Sequence, residues 1–336
     1  MINNKKLILA NFKLQNEETF PSLELAYRTY GELNSQGNNA ILFPTYYTGT
    51  DLDNAKIIGA NHALDPTKYF IIVPNLFGNG ISSSPSNTPA PFNGTNFPNI
   101  TLYDNVRAQH QLIDYLNVTS LKLVLGWSMG GMQTYQWCAQ YPNIVKNALI
   151  ICATAKTSEH NHVFLEGVKA ALTADTKFNH GNYRDNPPVD GLKAFARVYA
   201  GWAYSQQFYR EQKYKDLGFN NAEELLKDWE QDHLNWDAND LLTMLNTWQT
   251  SDISQQSSYD ADLEKALTAI KANVILMPCE QDLYFRFEDN QSELNHLKYG
   301  SYQGFESSFG HCSAGPGRLK RESELIDTAI SRLLKD

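Results

Sequence analysis

A serine framed by two glycines stands between a strand-like run and a helix-like run, and this arrangement constrains the fold more than any other feature. The apolar run 121–126 ends at Gly126, Ser128 follows two places later, and Gly130 lies in a helix-like stretch at 129–140. On a sharp strand-to-helix turn, the residues two places before and after the serine crowd each other, so glycine at both places removes the clash. The pattern predicts a nucleophile elbow that projects the serine hydroxyl beyond the sheet. A glycine-rich turn that only packs is the alternative.

Short apolar runs alternate with helix-like stretches through the first part of the chain and again near its end. The runs predicted as strands are 7–14, 23–33, 40–45, 69–75, 121–126, 147–153, 274–277 and 302–305. The stretches predicted as helices are 55–64, 102–116, 129–140 and 321–334. Continuous apolar runs of this length are typical of strands covered on both faces. The alternation predicts an α/β fold with a mostly parallel central sheet and helices on both faces.

The pattern of apolar residues changes between residues 156 and 268, where few strand-like runs occur. The predicted helices of this block are 164–172, 192–209, 222–229 and 239–248. A helical block between two strands of one sheet predicts an inserted cap, so the catalytic domain is expected at 1–155 and 269–336. Residues 79–99 are rich in Ser, Pro, Asn and Gly, which predicts a long loop.

Composition narrows the class of partner. The 336 residues carry a formal net charge of -9, which argues against nucleic acid or an anionic membrane as the main partner.

No run of about 18 apolar residues is present, and the start of the chain lacks the apolar region of a signal peptide. The cysteines are widely spaced, which favours free thiols in a reducing compartment and predicts a cytoplasmic protein; they are Cys138, Cys152, Cys279 and Cys312. No metal-ligand spacing is found, so no metal is predicted.

A serine nucleophile needs a base, and His311 is the best placed of the eight histidines. It lies in a loop after the last predicted strand and before the final helix. With a nucleophile elbow, the order along the chain is nucleophile, acid, histidine. His62 and His110 precede Ser128 and do not fit that order. A surface or packing histidine is the alternative.

The acid should follow the strand before the base. Residues 274–277 lead into a turn that holds Glu280 and Asp282, with Asp289 farther along. Asp282 is preferred because the apolar residues 283–285 next to it would shield an ion pair, and Glu280 stays open as the alternative. This carboxylate would orient the histidine and stabilise its charged form.

An oxyanion hole needs two N–H donors. The first is predicted at the backbone of Met129, at the start of the helix after the serine. The second is expected in the loop after the strand 40–45, with Tyr47 as the candidate. Its tyrosine ring could instead only line the pocket or pack.

Several motifs are shared with a known family. They lie at 25–34 (LAYRTYGELN), 47–50 (YTGT), 97–101 (FPNIT), 104–109 (DNVRAQ), 128–133 (SMGGMQ) and 310–311 (GH). On these motifs the chain resembles the homoserine O-acetyltransferase-like family of α/β-hydrolases. The resemblance implies the α/β-hydrolase fold, an acyl-serine intermediate and a ping-pong mechanism, with Ser128 as nucleophile, Asp282 as acid and His311 as base. In the transferases of this family, acetyl passes from acetyl-CoA to the homoserine hydroxyl.

Some positions depart from the transferase pattern. Trp127 precedes the serine where transferases usually carry a small residue, and Cys312 follows the base where they usually carry an aspartate. Lys169 stands near an expected arginine, Tyr204 is followed directly by a serine, and the loop 78–85 differs from the usual sequence. An amino-acid site must pair an ammonium and a carboxylate, so these losses undermine it.

The resemblance is therefore closest to the esterase branch of the family. We expect an enzyme that hydrolyses short-chain, acetyl-type esters of small molecules without a cofactor, in an apolar pocket formed by Trp127, Tyr46, Phe77 and Tyr204. The alternative is an O-acetyltransferase that uses acetyl-CoA as donor and homoserine or a related hydroxyl as acceptor. A non-catalytic binding protein with the same fold is a third hypothesis. The family also suggests a homodimer through the cap, although the cap helices could instead pack against the main domain.

Overall fold

A single eight-stranded sheet forms the centre of the protein in a computed structural model that describes residues 5–335. The strands are β1 Lys5–Lys13, β2 Thr19–Tyr30, β3 Ala40–Leu42, β4 Phe70–Pro74, β5 Leu121–Trp127, β6 Asn147–Ile151, β7 Asn273–Met277 and β8 Gly300–Tyr302. Their order across the sheet is β1-β2-β4-β3-β5-β6-β7-β8. All eight predicted strands are present, most of them within a few residues of the expected bounds.

The sheet is antiparallel at one edge and parallel elsewhere. Strand β1 pairs antiparallel with β2, β2 pairs antiparallel with β4, and every pair from β4 to β8 is parallel. The residues of β3, β4 and β6 are all buried, because helices cover both faces of the sheet at these strands. The predicted fold class is confirmed.

The α-helices of the described chain are α1 Asp51–Asn54, α2 Leu102–Tyr115, α3 Met129–Gln140, α4 Glu159–Thr173, α5 Val189–Ala203, α6 Gln206–Arg210, α7 Ala222–His233, α8 Ala238–Gln249, α9 Leu263–Thr268, α10 Phe287–Leu294 and α11 Lys320–Leu333. Helices α4 to α9 all lie between β6 and β7, in the stretch predicted as a cap. The cap boundaries at 156 and 268 stay a prediction. None of the described helices is long and apolar enough to cross a membrane.

Two predicted helices are wrong in their bounds. Residues 55–64 hold only a 3-10 turn at Ala55–Ile57, because the helix before it begins earlier, at a capping box of Thr50 and Asp53. The predicted helix 192–209 is two helices, α5 and α6. Ser205 breaks it, since its hydroxyl caps α6 by accepting a hydrogen bond from the N–H of Phe208 (3.1 Å).

Hydrogen bonds join the helical block to the main domain above the carboxyl ends of the parallel strands. The Tyr47 hydroxyl donates to Leu241 O in α8 (3.2 Å), and the Tyr284 hydroxyl donates to Tyr199 O in α5 (2.8 Å). The Ser205 hydroxyl donates to Ser308 O (2.5 Å). Most apolar side chains of α5 and α8 are buried in the same core cluster as the sheet residues. The helical block therefore packs against the edge of the sheet at which the Ser128 turn lies.

Candidate active site

The turn at Ser128 has the strained geometry that its glycines predict. Ser128 lies between β5 and α3 with φ 58° and ψ -131°, a region that residues with a side chain rarely occupy. A Cβ placed on Gly126 would lie 2.1 Å from the backbone carbon and oxygen of Gly130. A Cβ on Gly130 would lie 2.7 Å from Pro44 O. Neither position tolerates a larger residue without a shift of backbone, so the glycines make the turn possible.

Ser128, His311 and Asp282 form a continuous hydrogen-bonded chain. The distance from His311 Nε2 to Ser128 Oγ is 2.9 Å, and the distance from His311 Nδ1 to Asp282 Oδ2 is 2.6 Å. All three side chains are buried, at 3%, 4% and 0% exposure for the serine, histidine and aspartate. This is the arrangement in which a histidine takes the proton of a serine while a carboxylate fixes the imidazole.

The aspartate is the carboxylate that reaches the base. Its second oxygen, Oδ1, accepts hydrogen bonds from the N–H groups of Tyr284 (2.7 Å) and Phe285 (3.2 Å), which orient the carboxylate toward His311. Glu280, the alternative acid, is half-buried and belongs to the same turn, but Asp282 holds the contact with the ring nitrogen. The geometry therefore favours Asp282 over Glu280.

The predicted oxyanion donors lie on the two segments next to Ser128. Met129 is the first residue of α3, where helix N–H groups have no partner inside the helix. Tyr47 lies in the loop after β3, which Gln133 of α3 ties down by donating from Nε2 to Thr45 O (2.8 Å). The Tyr47 ring is buried against the cap. The role of these two N–H groups stays a prediction.

A cavity of about 410 Å³ opens onto Ser128 and His311. Three of the predicted pocket residues, Trp127, Tyr46 and Tyr204, line it. Phe77 does not, and that prediction is wrong. The Phe77 side chain is fully buried in the core, and its N–H donates to Asn105 Oδ1 (3.1 Å), so it supports the main domain.

Much of the cavity wall could not be identified from the sequence. Its further lining residues include the cap residues Tyr199, Leu217, Phe219, Leu225, Trp229 and His233, together with Tyr284, Cys312 and Arg318 from the main domain. Burial raises the pKa of Tyr46 and of the Cys312 thiol, so both groups are neutral at neutral pH. No local pattern marks these residues, because each reaches the cavity through the packing of its own element.

The hydroxyl, imidazole and carboxylate of this site are groups that can act as nucleophile, base and acid. Among residues 5–335, no group of three His, Cys, Asp or Glu side chains is placed to hold a metal ion. The four cysteines are free, as the sequence predicts, and all four are buried.

Comparison with known proteins identifies the family. The profile of the alpha/beta hydrolase fold matches residues 41–273. The chain belongs to the α/β-hydrolase family. Within this family it is 39% identical over 324 residues to an ethyl acetate hydrolase of Pseudomonas veronii, covering 95% of this chain and 91% of that protein. It is 31% identical to a homoserine O-acetyltransferase of Trichormus variabilis, covering 89% of this chain and 86% of that protein.

A solved structure supports the same placement of this α/β-hydrolase. The acetyl esterase MekB superposes with a TM-score of 0.95 at 36% identity, covering 99% of this chain and 97% of that one. The similarity to the homoserine O-acetyltransferase-like family is thus confirmed, and the esterases among these relatives are the more similar. The chain is an enzyme of the ester hydrolase and acyltransferase class.

Proposed function

We propose that this α/β-hydrolase hydrolyses short-chain, acetyl-type carboxylic esters through an acyl-Ser128 intermediate. The observation that carries the proposal is the hydrogen-bonded chain from Asp282 through His311 to Ser128, which opens into a cavity with aromatic walls.

The geometry accounts for each proton in the reaction. His311 Nε2 takes the proton of Ser128 Oγ as the oxygen attacks the ester carbonyl, and it then gives that proton to the departing alcohol. Asp282 holds the imidazole in the required orientation and stabilises its positive charge. Water then attacks the acyl-serine while His311 takes its proton, and His311 returns that proton to Ser128 Oγ as the acid product leaves.

The negative charge on the carbonyl oxygen needs donors at the moment of attack. We assign the N–H groups of Tyr47 and Met129 to this role, since Met129 follows the serine and Tyr47 lines the same cavity in a loop that is fixed by a hydrogen bond. Donors that are held in place before the reaction stabilise the charge without reorganisation, and the loss of one typically costs about 100- to 1,000-fold in rate.

Three observations favour water over an amino-acid acceptor. The residue after the base is the neutral Cys312, where the transferases usually carry an aspartate, and Trp127 and Tyr204 supply apolar surface. The relative with 39% identity is named for the hydrolysis of ethyl acetate. The alternative is acetyl transfer from acetyl-CoA to homoserine, which the relatives with 30–32% identity and wide coverage keep open.

One paired assay separates the two functions. The protein is given ethyl acetate or p-nitrophenyl acetate in one arm, and acetyl-CoA with homoserine in the other. We expect ester turnover without acetyl transfer to homoserine, and no activity in Ser128→Ala at unchanged Tm. Robust transfer with slow ester hydrolysis would establish the acetyltransferase function, and full activity of Ser128→Ala would reject both.

We propose further that the enzyme acts in the cytoplasm on small molecules and needs no cofactor. The support is chemical: four buried free thiols suit a reducing compartment, and the triad supplies both nucleophile and base. A homodimer through the cap stays a prediction, which light scattering tests. The packing of the α5 and α8 apolar faces into the core favours the alternative that these helices pack within the monomer.

A further inference from the structure

Arg318 brings a positive charge to the wall of the cavity, close to the catalytic histidine. It lies in the loop between His311 and α11 and lines the cavity. Its backbone N–H donates to Gly315 O (3.0 Å), and a Cβ on Gly315 would lie 2.7 Å from Arg318 Cδ, so the arginine side chain folds back over that glycine. It lines the same cavity as Cys312, the residue next to the base.

The guanidinium of Arg318 has no carboxylate partner within the described chain. Five other arginines each form a salt bridge with an aspartate or glutamate; they are Arg28, Arg107, Arg197, Arg286 and Arg321. The groups that contact or face Arg318 from the cavity wall include the Cys312 thiol and the hydroxyls of Tyr46 and Tyr204, whose pKa values are raised by burial. Arg318 is therefore a permanent, solvent-exposed cation whose neighbours are these neutral groups and the carboxylate of Asp232.

The acidic residues of the cavity are engaged elsewhere or exposed. Asp53 accepts hydrogen bonds from Lys56 Nζ (2.9 Å) and Thr50 Oγ1 (2.8 Å). Asp228 and Asp232 lie on α7 and are exposed to solvent, where water screens their charge. None of the three forms a salt bridge with Arg318, so its donors stay available.

We infer that Arg318 is a specificity-determining residue that binds a carboxylate on the ester substrate. This inference rests on the proposed esterase function and narrows its substrate class to short acyl esters of hydroxy acids. The planar guanidinium offers several N–H donors in a fixed fork, the geometry that pairs with a carboxylate through two parallel hydrogen bonds. Arg318 lines the same cavity as Ser128 and His311, so a carboxylate bound to it would lie in the cavity that receives the ester.

The test compares charged esters with neutral esters of nearly the same shape. The substrates are 2-acetoxyacetate, 3-acetoxypropanoate and 4-acetoxybutanoate, each paired with its carboxamide, and released acetate is measured. We expect the wild-type protein to favour at least one acid over its amide by about tenfold or more in kcat/KM. Arg318→Met should lower that acid-to-amide ratio by about ten- to 100-fold, since a hydrogen bond to a charged group is lost. Arg318→Lys keeps the charge without the fork and should give an intermediate ratio.

Arg332→Met is the matched control, since it removes an exposed arginine on α11 away from the cavity, and its ratio should equal that of the wild type. A wild-type protein without preference for any acid, or an Arg318→Met variant that keeps the preference, overturns the inference. Hydrolysis of p-nitrophenyl acetate that depends on Ser128 shows in the same experiment whether the esterase function itself holds. Should that hydrolysis be present and the acid preference absent, only the carboxylate site fails.

Discussion

The indole of Trp127 lies against the imidazole of His311, 184 residues further along the chain. The ring centroids are 4.9 Å apart with an angle of 27° between the planes, and Trp127 Nε1 donates a hydrogen bond to His311 O (3.2 Å). The residue just before the nucleophile thus holds both the ring and the backbone of the base. Trp127 also lines the cavity, so a single side chain contacts both the cavity and the predicted base.

Replacing Trp127 by Phe should separate these contributions. The ring contact is largely kept, but the hydrogen bond to the His311 carbonyl is lost, so we expect kcat to fall about three- to tenfold through a displaced base. KM should change less. Steady-state kinetics on p-nitrophenyl acetate and the Tm of the variant are the measurements.

Trp137→Phe is the matched control for that variant. Trp137 is fully buried in α3, and its Nε1 donates to Gln109 Oε1 (2.7 Å) away from the cavity. Its loss should lower the Tm without the loss of kcat. If both variants lose kcat in proportion to Tm, Trp127 has only a structural role.

Replacement of each candidate acid by its amide should have unequal effects on kcat. Asp282→Asn keeps the shape but removes the negative charge that stabilises the His311 imidazolium, so we expect kcat to fall on the order of 1,000- to 10,000-fold. Glu280→Gln should change kcat less than about threefold, because Asp282, and not Glu280, forms the hydrogen bond with His311 Nδ1. A silent Asp282→Asn together with an inactive Glu280→Gln would reverse the assignment.

Addition of a methyl group at two glycines should have opposite effects on stability. Gly126→Ala places a Cβ 2.1 Å from the Gly130 backbone, so we expect a loss of roughly 3 kcal/mol or more in the free energy of unfolding, with loss of activity. Gly167→Ala in the exposed face of α4 meets no atom within 4 Å and should stabilise the protein by about 0.5–1 kcal/mol through helix propensity. Chemical denaturation measures both. Equal effects would show that the turn adapts to the extra methyl group.

The stability of the cap should depend on pH through Asp240. Its buried carboxyl accepts hydrogen bonds from Ser86 N (2.9 Å) and Ser86 Oγ (2.5 Å), and burial raises its pKa to about 7. The folded protein then holds a proton that the unfolded chain, with a carboxyl pKa near 3.9, releases. This contribution to the free energy of unfolding is therefore present at low pH and is lost as the pH rises from about 4 through 7.

Asp240→Asn removes that titration. Relative to the variant, the wild type should lose roughly 2–4 kcal/mol of unfolding free energy between pH 4 and pH 8, measured by denaturation in urea. The exposed Asp185→Asn serves as control, and its difference from the wild type should stay constant. A constant difference for Asp240→Asn as well would place its pKa near that of an ordinary carboxyl.

Local sequence patterns determined the strands, most helices and the serine turn. The period of apolar residues depends on backbone geometry within a few residues, so β5, the glycines around Ser128 and α3 could all be predicted. The order of Ser128, Asp282 and His311 along the chain followed from the fold that these elements imply. The early start of α1 and the break at Ser205 also had local signals, namely the Thr50 capping box and the serine cap. A prediction based on the spacing of apolar residues alone missed both of them.

Only the tertiary structure decided which distant side chains meet. The sequence placed Phe77 in the pocket, yet the packing of β4 and α2 buries it in the core. It left Asp282 and Glu280 both open, and it gave no signal for Arg318. The reason is physical: a contact across 29 or 183 residues depends on how strands and helices are stacked, whereas a local pattern records only which face of its own element is buried.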